Sequence, residues 1–301
     1  MTVFQKPSDK IIFFATIALI AVCAAFVFLH KSNSPRSELL AERQDESKLK
    51  IAVTMIPVEN IAQEIGGDKV DITLIVPEGQ SPHTFEPTPE TIRNTSGAAS
   101  VFKVGIIDDW VSGIADSLSV PVFYVGSGID LKTTEGTQDP HYWLSIKNGE
   151  IIAENITNEL KKLDGENADY YAENLSAFLI KADAADKNIR EILSGIKNRN
   201  IITFHDAWSY FAGDYDLKVV AVYEPSPGKD PLPQDVKALI DKAREYDIKV
   251  FFSEIQYSSA PLMALGESEG IKVVSLNPLE LRGAYLESLV QNAEIIRDAL
   301  R

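Results

Sequence analysis

Short runs of β-branched residues separated by helical patterns decide what this 301-residue chain can fold into. Four come early: Leu49–Met55, Val70–Val76, Ala99–Val104 and Pro121–Val125. Four more follow a long helical stretch: Asn200–Phe204, Leu217–Tyr223, Ile248–Ser253 and Ile271–Leu276. Strands that alternate with helices are joined by crossovers, and crossovers make parallel pairs. The pattern therefore predicts an α/β protein of two lobes, each a four-stranded parallel sheet flanked by helices. Between them, Asn167–Ile196 contains no proline, and Tyr171, Leu175, Phe178, Leu179, Ala182, Ile189, Leu193 and Ile196 recur mostly at three- and four-residue steps. As one helix it would be about 45 Å long, a single rod joining the lobes. Two ordinary helices meeting near Lys187-Asn188 are the alternative. Smaller signals agree with helices between strands. Thr88-Pro89-Glu90 is an N-cap followed by a first-turn proline and an acid, and Gly66-Gly67 stops the helix that begins near Val58.

The N-terminus carries a different signal. Ile11–Leu29 is almost wholly apolar, with Lys6 and Lys10 before it and His30 and Lys31 after it. That run is long enough to span a bilayer and longer than an ordinary signal-peptide core. Its Cys23 is the chain's only cysteine. A lipid on Cys23 calls for a small residue before it, and Val22 stands there, so an uncleaved signal anchor is expected. The predicted organisation is a flank at 1–10, a transmembrane anchor at 11–29, a polar tether at 30–47, an N-terminal lobe at 48–165, the connecting helix at 166–197 and a C-terminal lobe at 198–301. The body is then extracytoplasmic, tethered to the membrane, and expected to be a monomer. With 44 acidic against 29 basic residues the formal charge is -15, which argues against nucleic-acid binding. A thiolate metal site in the body is excluded, so any metal there is held by imidazole and oxygen.

Outside the N-terminal stretch the chain has only three histidines: His83, His141 and His205. Each follows a strand-like run: His83 in Ser-Pro-His-Thr-Phe-Glu-Pro, His141 in Asp-Pro-His-Tyr-Trp-Leu, His205 in Thr-Phe-His-Asp-Ala-Trp. A lone histidine is more often a satisfied structural residue than a ligand. Three at matching strand ends point instead to one metal site, because ligands of open α/β sheets bind beyond the carboxyl ends of the strands. Glu254 and Asn277 end the last two predicted strands and complete the candidate set. Glu254 is open to reading as a ligand, an ion-pair partner or a surface carboxylate. Glu86, Asp139 and Asp206 lie close in sequence to the histidines and are candidates for holding the second ring nitrogen; each is also a candidate turn or cap residue. Phe85, Tyr142, Trp143 and Trp208 read as core or cleft wall.

These motifs, with Glu224-Pro-Ser-Pro-Gly228, resemble in order and spacing the zinc/manganese solute-binding proteins of metal ABC transporters, from Lys48 to the C-terminus. The resemblance implies two α/β lobes joined by one long helix, a metal held in the cleft, and delivery to a membrane permease driven by a cytoplasmic ATPase. It carries His83, His141 and His205 over as imidazole ligands. The family's aspartate, in an Asp-Pro-Leu motif, is here Asn277 in Asn277-Pro278-Leu279, leaving water, Glu254 or Glu280 as other candidates for the fourth position. The histidine-rich loop of some zinc members is missing. Three imidazoles suit zinc, whereas manganese favours more oxygen; zinc is the expected cargo and manganese the alternative. An extracytoplasmic zinc hydrolase with Glu254 as general base and a cell-surface adhesion module holding a structural metal are the competing functions. The chain has no His-Glu-x-x-His helix and no Gly-x-Ser-x-Gly elbow, and no enzymatic role is expected.

Overall fold

In a computed structural model of the chain, the structure describes residues 48–134, 136–224, 228–279 and 284–301. The expected anchor Ile11–Leu29, Cys23 and Glu280 lie outside the described residues. Among the described residues no helix is long and apolar enough to cross a membrane.

The first sheet is built from β1 (Leu49–Val53), β2 (Val70–Leu74), β3 (Val101–Lys103) and β4 (Val122–Tyr124), in the order β2-β1-β3-β4. A two-stranded antiparallel hairpin follows, β5 (Thr133–Thr134) and β6 (Thr137–Gln138). The second sheet contains β7 (Asn200–Thr203), β8 (Lys218–Val222), β9 (Val250–Glu254) and β10 (Lys272–Leu276), in the order β10-β9-β7-β8. Every pair within the two larger sheets is parallel. Both sheets share one topology, with the lobe's first strand between its second and third. The eight predicted strands are all present; seven are trimmed at one or both ends, and β9 starts two residues later than expected and runs one further, to Glu254. The hairpin was not predicted, since strands of two residues carry no readable alternation.

Helices fill the crossovers: α1 (Ile56–Gly66), α2 (Pro89–Thr95) and α3 (Val111–Leu118) in the first lobe. Then come α4 (Ile146–Leu163), α5 (Ala168–Leu193), α6 (Ser209–Asp214), α7 (Pro233–Glu245), α8 (Ala260–Glu269) and α9 (Tyr285–Ala299). The signals at the ends work as their chemistry dictates. Thr88 caps α2 by accepting from Thr91 N at 3.2 Å, with Pro89 in the first turn. Gly67 ends α1 with φ of 55°, a conformation that costs glycine little.

The strands are buried on both faces, as parallel sheets require. In β1, Ile51 and Val53 point into the main core, while Ala52 points to the opposite face with Val101, Val111 and Ala115. In β9, Phe252 joins the main core and Phe251 packs with Ile202, Leu239 and Leu262 on the far side. That main core is shared by both sheets and α5, so Leu49–Arg301 forms one compact unit.

The connecting helix is continuous. Its 26 residues span about 39 Å, and there is no break at Lys187-Asn188. Tyr171, Phe178, Ala182, Ile189 and Leu193 form its buried stripe, at alternating steps of seven and four residues. Asp183–Lys187 and Asp186–Arg190 pairs at helical spacing span the region where a break was considered. The first half is fixed to lobe one: Asn174 Nδ2 donates to Ile65 O at 2.9 Å, and Lys181 pairs with Glu64. The second half is fixed to lobe two, where Arg190 Nη1 donates to Asp214 O at 2.9 Å and Tyr215 Oη donates to Asp186 at 3.1 Å.

Candidate metal centre

The three histidines meet. His83 Nε2 lies 3.1 Å from His141 Nε2, and His205 Nε2 lies 3.3 Å from that same atom. All three nitrogens fall within 4.8 Å of one another. Two imidazoles come from lobe one and the third from lobe two. A tetrahedral zinc ion with zinc–nitrogen bonds of about 2.0–2.1 Å sets its ligands roughly 3.3–3.4 Å apart, close to the two short edges.

Carboxylates stand behind the His141 and His205 rings, and His83 is placed through its neighbours in the chain. His83 sits on the loop after β2, fixed by Trp110 Nε1 donating to Pro82 O at 3.3 Å and by a 3.1 Å hydrogen bond between Ser81 Oγ and Tyr257 Oη of the other lobe. His141 follows the hairpin. Its backbone N–H and its Nδ1 both reach Asp139 Oδ1, at 2.9 and 2.8 Å. Asp139 is itself gripped from lobe two: Ser209 Oγ donates to Oδ2, and Tyr210 Oη donates to its carbonyl at 3.0 Å. Trp143 stands beside the His141 ring, centroids 5.2 Å apart, and donates its Nε1 to Pro278 O at 2.8 Å. His205 lies just past β7, with Nδ1 2.7 Å from Glu254 Oε2. The two atoms are close, but their geometry falls short of a well-aligned hydrogen bond. Glu254 in turn accepts from Trp208 Nε1 at 3.1 Å and from Gln256 Nε2 at 2.7 Å.

Burial acts on all three rings, and the neighbouring carboxylates act against it. Burial, helped by the neighbouring His141 and His205, pulls His83 down to about 3. Burial also lowers His141, against the pull of Asp139. For His205 burial acts the same way, but the charge of Glu254 overrides it and the net direction is up. The hydrogen bond from His141 keeps Asp139 below the usual carboxylate range in spite of burial. With Nδ1 of His141 donating to Asp139, its Nε2 is left as a bare lone pair facing the other two rings. A divalent cation bound by all three Nε2 atoms needs each of them as a lone pair, so its capture displaces any proton that His205 holds there.

The remaining sequence candidates are placed as follows. Glu254 is buried behind His205, and the groups around its two oxygens are those just named. Asn277 Oδ1 accepts from Leu279 N at 3.2 Å, closing a turn, while its backbone pairs with Asn292. Pro278 and Leu279 line the pocket above the histidines, together with Ser81, Pro82, Ile107, Trp143, Gln256 and Tyr257. Among the nearby acids, Asp139 supports a histidine as expected. Glu86 is exposed, and Asp206 adds a minor upward pull on His205. Tyr142, Trp143 and Trp208 are fully buried and Phe85 packs on Trp110, as core and cleft wall. Ser209, Tyr210 and Gln256 were not anticipated, because hydroxyl and amide groups near a strand end look like ordinary surface in a sequence.

The model of the family described as zinc-uptake complex component A, periplasmic (ZnuA), matches residues 51–299. The chain belongs to this family, and it is a substrate-binding protein of the metal ABC transporter type. It is 30% identical over 242 residues to the manganese ABC transporter substrate-binding lipoprotein PsaA of Streptococcus mitis, covering 75% of this chain and 78% of that protein. It is 29% identical over 276 residues to the metal ABC transporter substrate-binding lipoprotein SsaB of Streptococcus sanguinis, covering 86% of this chain and 87% of that one. A crystal structure of ZnuA superposes with a TM-score of 0.79 at 31% identity, covering 84% of this chain and 100% of the other. The fold with its single joining helix is that of this family.

Proposed function

We propose that the protein is an extracytoplasmic receptor that captures one divalent ion, zinc in preference to manganese, on His83, His141 and His205. It then hands the ion to an ABC-transporter permease driven by a cytoplasmic ATPase. The observation that carries this reading is the convergence of three imidazole Nε2 atoms drawn from both lobes. The donor chemistry supports zinc: three nitrogens are presented, while the oxygens of Glu254 and Asn277 are engaged by Trp208, Gln256 and Leu279. Glu254 serves as the outer partner of His205, not as a ligand. His83 is the least buried of the three rings and forms the exit side. The protein turns nothing over in this reading; the ion is cargo.

Competitive titration of the protein with zinc and manganese, beside His205→Ala, tests the proposal. One-to-one zinc binding that is tighter than manganese binding and is lost in the variant supports it. Tighter manganese binding overturns the choice of ion, and no binding of either overturns the receptor.

The tether follows from the relatives. Their names carry the word lipoprotein, which sets a lipid on Cys23 against the uncleaved apolar span as the means of attachment. The mass of the mature chain separates the two. A chain that begins at Cys23 and carries added acyl groups selects the lipid; one that keeps residues 1–22 selects the span.

A further inference from the structure

Gln256 stands two residues beyond Glu254 and lines the histidine pocket. Its Nε2 donates to Glu254 Oε2 at 2.7 Å, which fixes the amide: turned the other way, two oxygens would face each other. The other end, Oε1, is buried and has no hydrogen-bond partner among the described residues. A buried carbonyl oxygen left unpaired is destabilising, so this atom calls for a donor. The pocket is small, about 10 Å³, the scale of a single water molecule. Three imidazoles leave a tetrahedral ion one open position. Glu254 is not grouped with the three ring nitrogens, and its oxygens and Asn277 Oδ1 already accept hydrogen bonds from Trp208, Gln256 and Leu279.

We infer that Gln256 is a positioning residue for the fourth ligand: its Oε1 accepts a hydrogen bond from a water molecule bound to the captured ion. This rests on the receptor reading and deepens it. A neutral carbonyl acceptor favours water, which has protons to give, over an anion, which has none and would leave Oε1 unpaired. Gln256 therefore keeps the fourth position neutral and exchangeable, which suits an ion that has to be given up. The chain from Trp208 through Glu254 to Gln256 links this role to the support of His205: one carboxylate holds the imidazole on one side and aims the amide on the other.

Cobalt-loaded protein tests this, because its visible spectrum reports the ligands directly. Azide, an anion that competes for an exchangeable position, is titrated into wild type and Gln256→Leu while zinc affinity is measured in parallel. The expected result is roughly tenfold weaker zinc binding in the variant, in the range that loss of an outer partner costs, together with azide uptake at about tenfold lower concentration than in wild type. An unchanged azide response overturns the inference, whether or not zinc binding weakens, because it means that Gln256 only braces Glu254. A spectrum insensitive to azide in both proteins also overturns it, by showing a protein side chain in the fourth position. Failure of wild type to take up cobalt or zinc at all overturns the receptor reading, and this inference with it. Thermal melting of the metal-free variant confirms that it is folded.

Discussion

His205 and Glu254 face each other because their strands are neighbours in register. Thr203 of β7 pairs with Phe252 of β9, so the residues two positions further on come side by side where the strands end. The result is the 2.7 Å contact between Nδ1 and Oε2. Removing the charge while keeping the shape tests its role. In Glu254→Gln, Trp208 Nε1 still has an oxygen to bond. The upward pull on His205 is lost, and zinc affinity falls about 10- to 100-fold. Isothermal titration of wild type and variant measures the change.

His83 makes the metal-free protein sensitive to acid. Its imidazole titrates at about 3 in the folded chain against an ordinary 6.5, so the fold excludes its proton. Above pH 6.5 neither state binds that proton and the contribution to stability is whole. As pH falls from 6.5 towards 3, the unfolded chain gains a proton that the folded chain does not, and stability is lost. Urea denaturation of metal-free wild type and His83→Gln across this window should show the wild type losing stability more steeply with falling pH. Parallel curves would contradict the effect.

Tyr257 ties the lobes across the pocket through Ser81. A neutral hydrogen bond of this kind contributes about 0.5–1.5 kcal/mol. Tyr257→Phe should release zinc about 2- to 12-fold faster, with little change in capture rate. Stopped-flow release into a chelator reads this directly.

Gly149 lies in α4 against the hydroxyl of Tyr285, with no room for a Cβ. That hydroxyl donates to Trp143 O at 2.7 Å, and Trp143 packs on His141. Gly149→Ala should cost about 1–3 kcal/mol of stability, as overpacking does, and also weaken zinc binding. Chemical denaturation with parallel titration checks both.

Chelation separates a receptor from a protein that needs metal to fold. The large core shared by the two sheets and α5 is built from apolar and aromatic side chains and does not include the three histidines. After metal removal the protein should keep its circular dichroism spectrum and melt cooperatively at a lower temperature, by the mass-action loss of a ligand alone. Unfolding on chelation would point to a structural metal.

Most of the architecture was legible because parallel sheets write themselves as apolar β-branched runs, and the eight strands and the rod helix show no local conflict. The limits of the strands were less so: whether Glu254 lies in β9 or past it depends on pairing with Leu276, which no local pattern reveals. At the site, histidine scarcity and strand-end placement singled out the three rings. The buried environment of Glu254 was not readable, since an acid at a strand end looks the same whether solvated or set behind a ring. Asn277 was read as a candidate oxygen donor from its place in Asn-Pro-Leu. The structure adds a local role that the motif does not show: that oxygen accepts from Leu279 N in a turn, a common use of asparagine.

Anomalous diffraction from crystals of the zinc-loaded protein, collected on both sides of the zinc absorption edge, decides whether one ion sits on His83, His141 and His205. One strong peak is expected about 2.0–2.1 Å from each of the three Nε2 atoms, with a non-protein oxygen in the fourth position. A peak lying elsewhere, or bonded to Glu254 or Asn277 in place of one of the histidines, would contradict it.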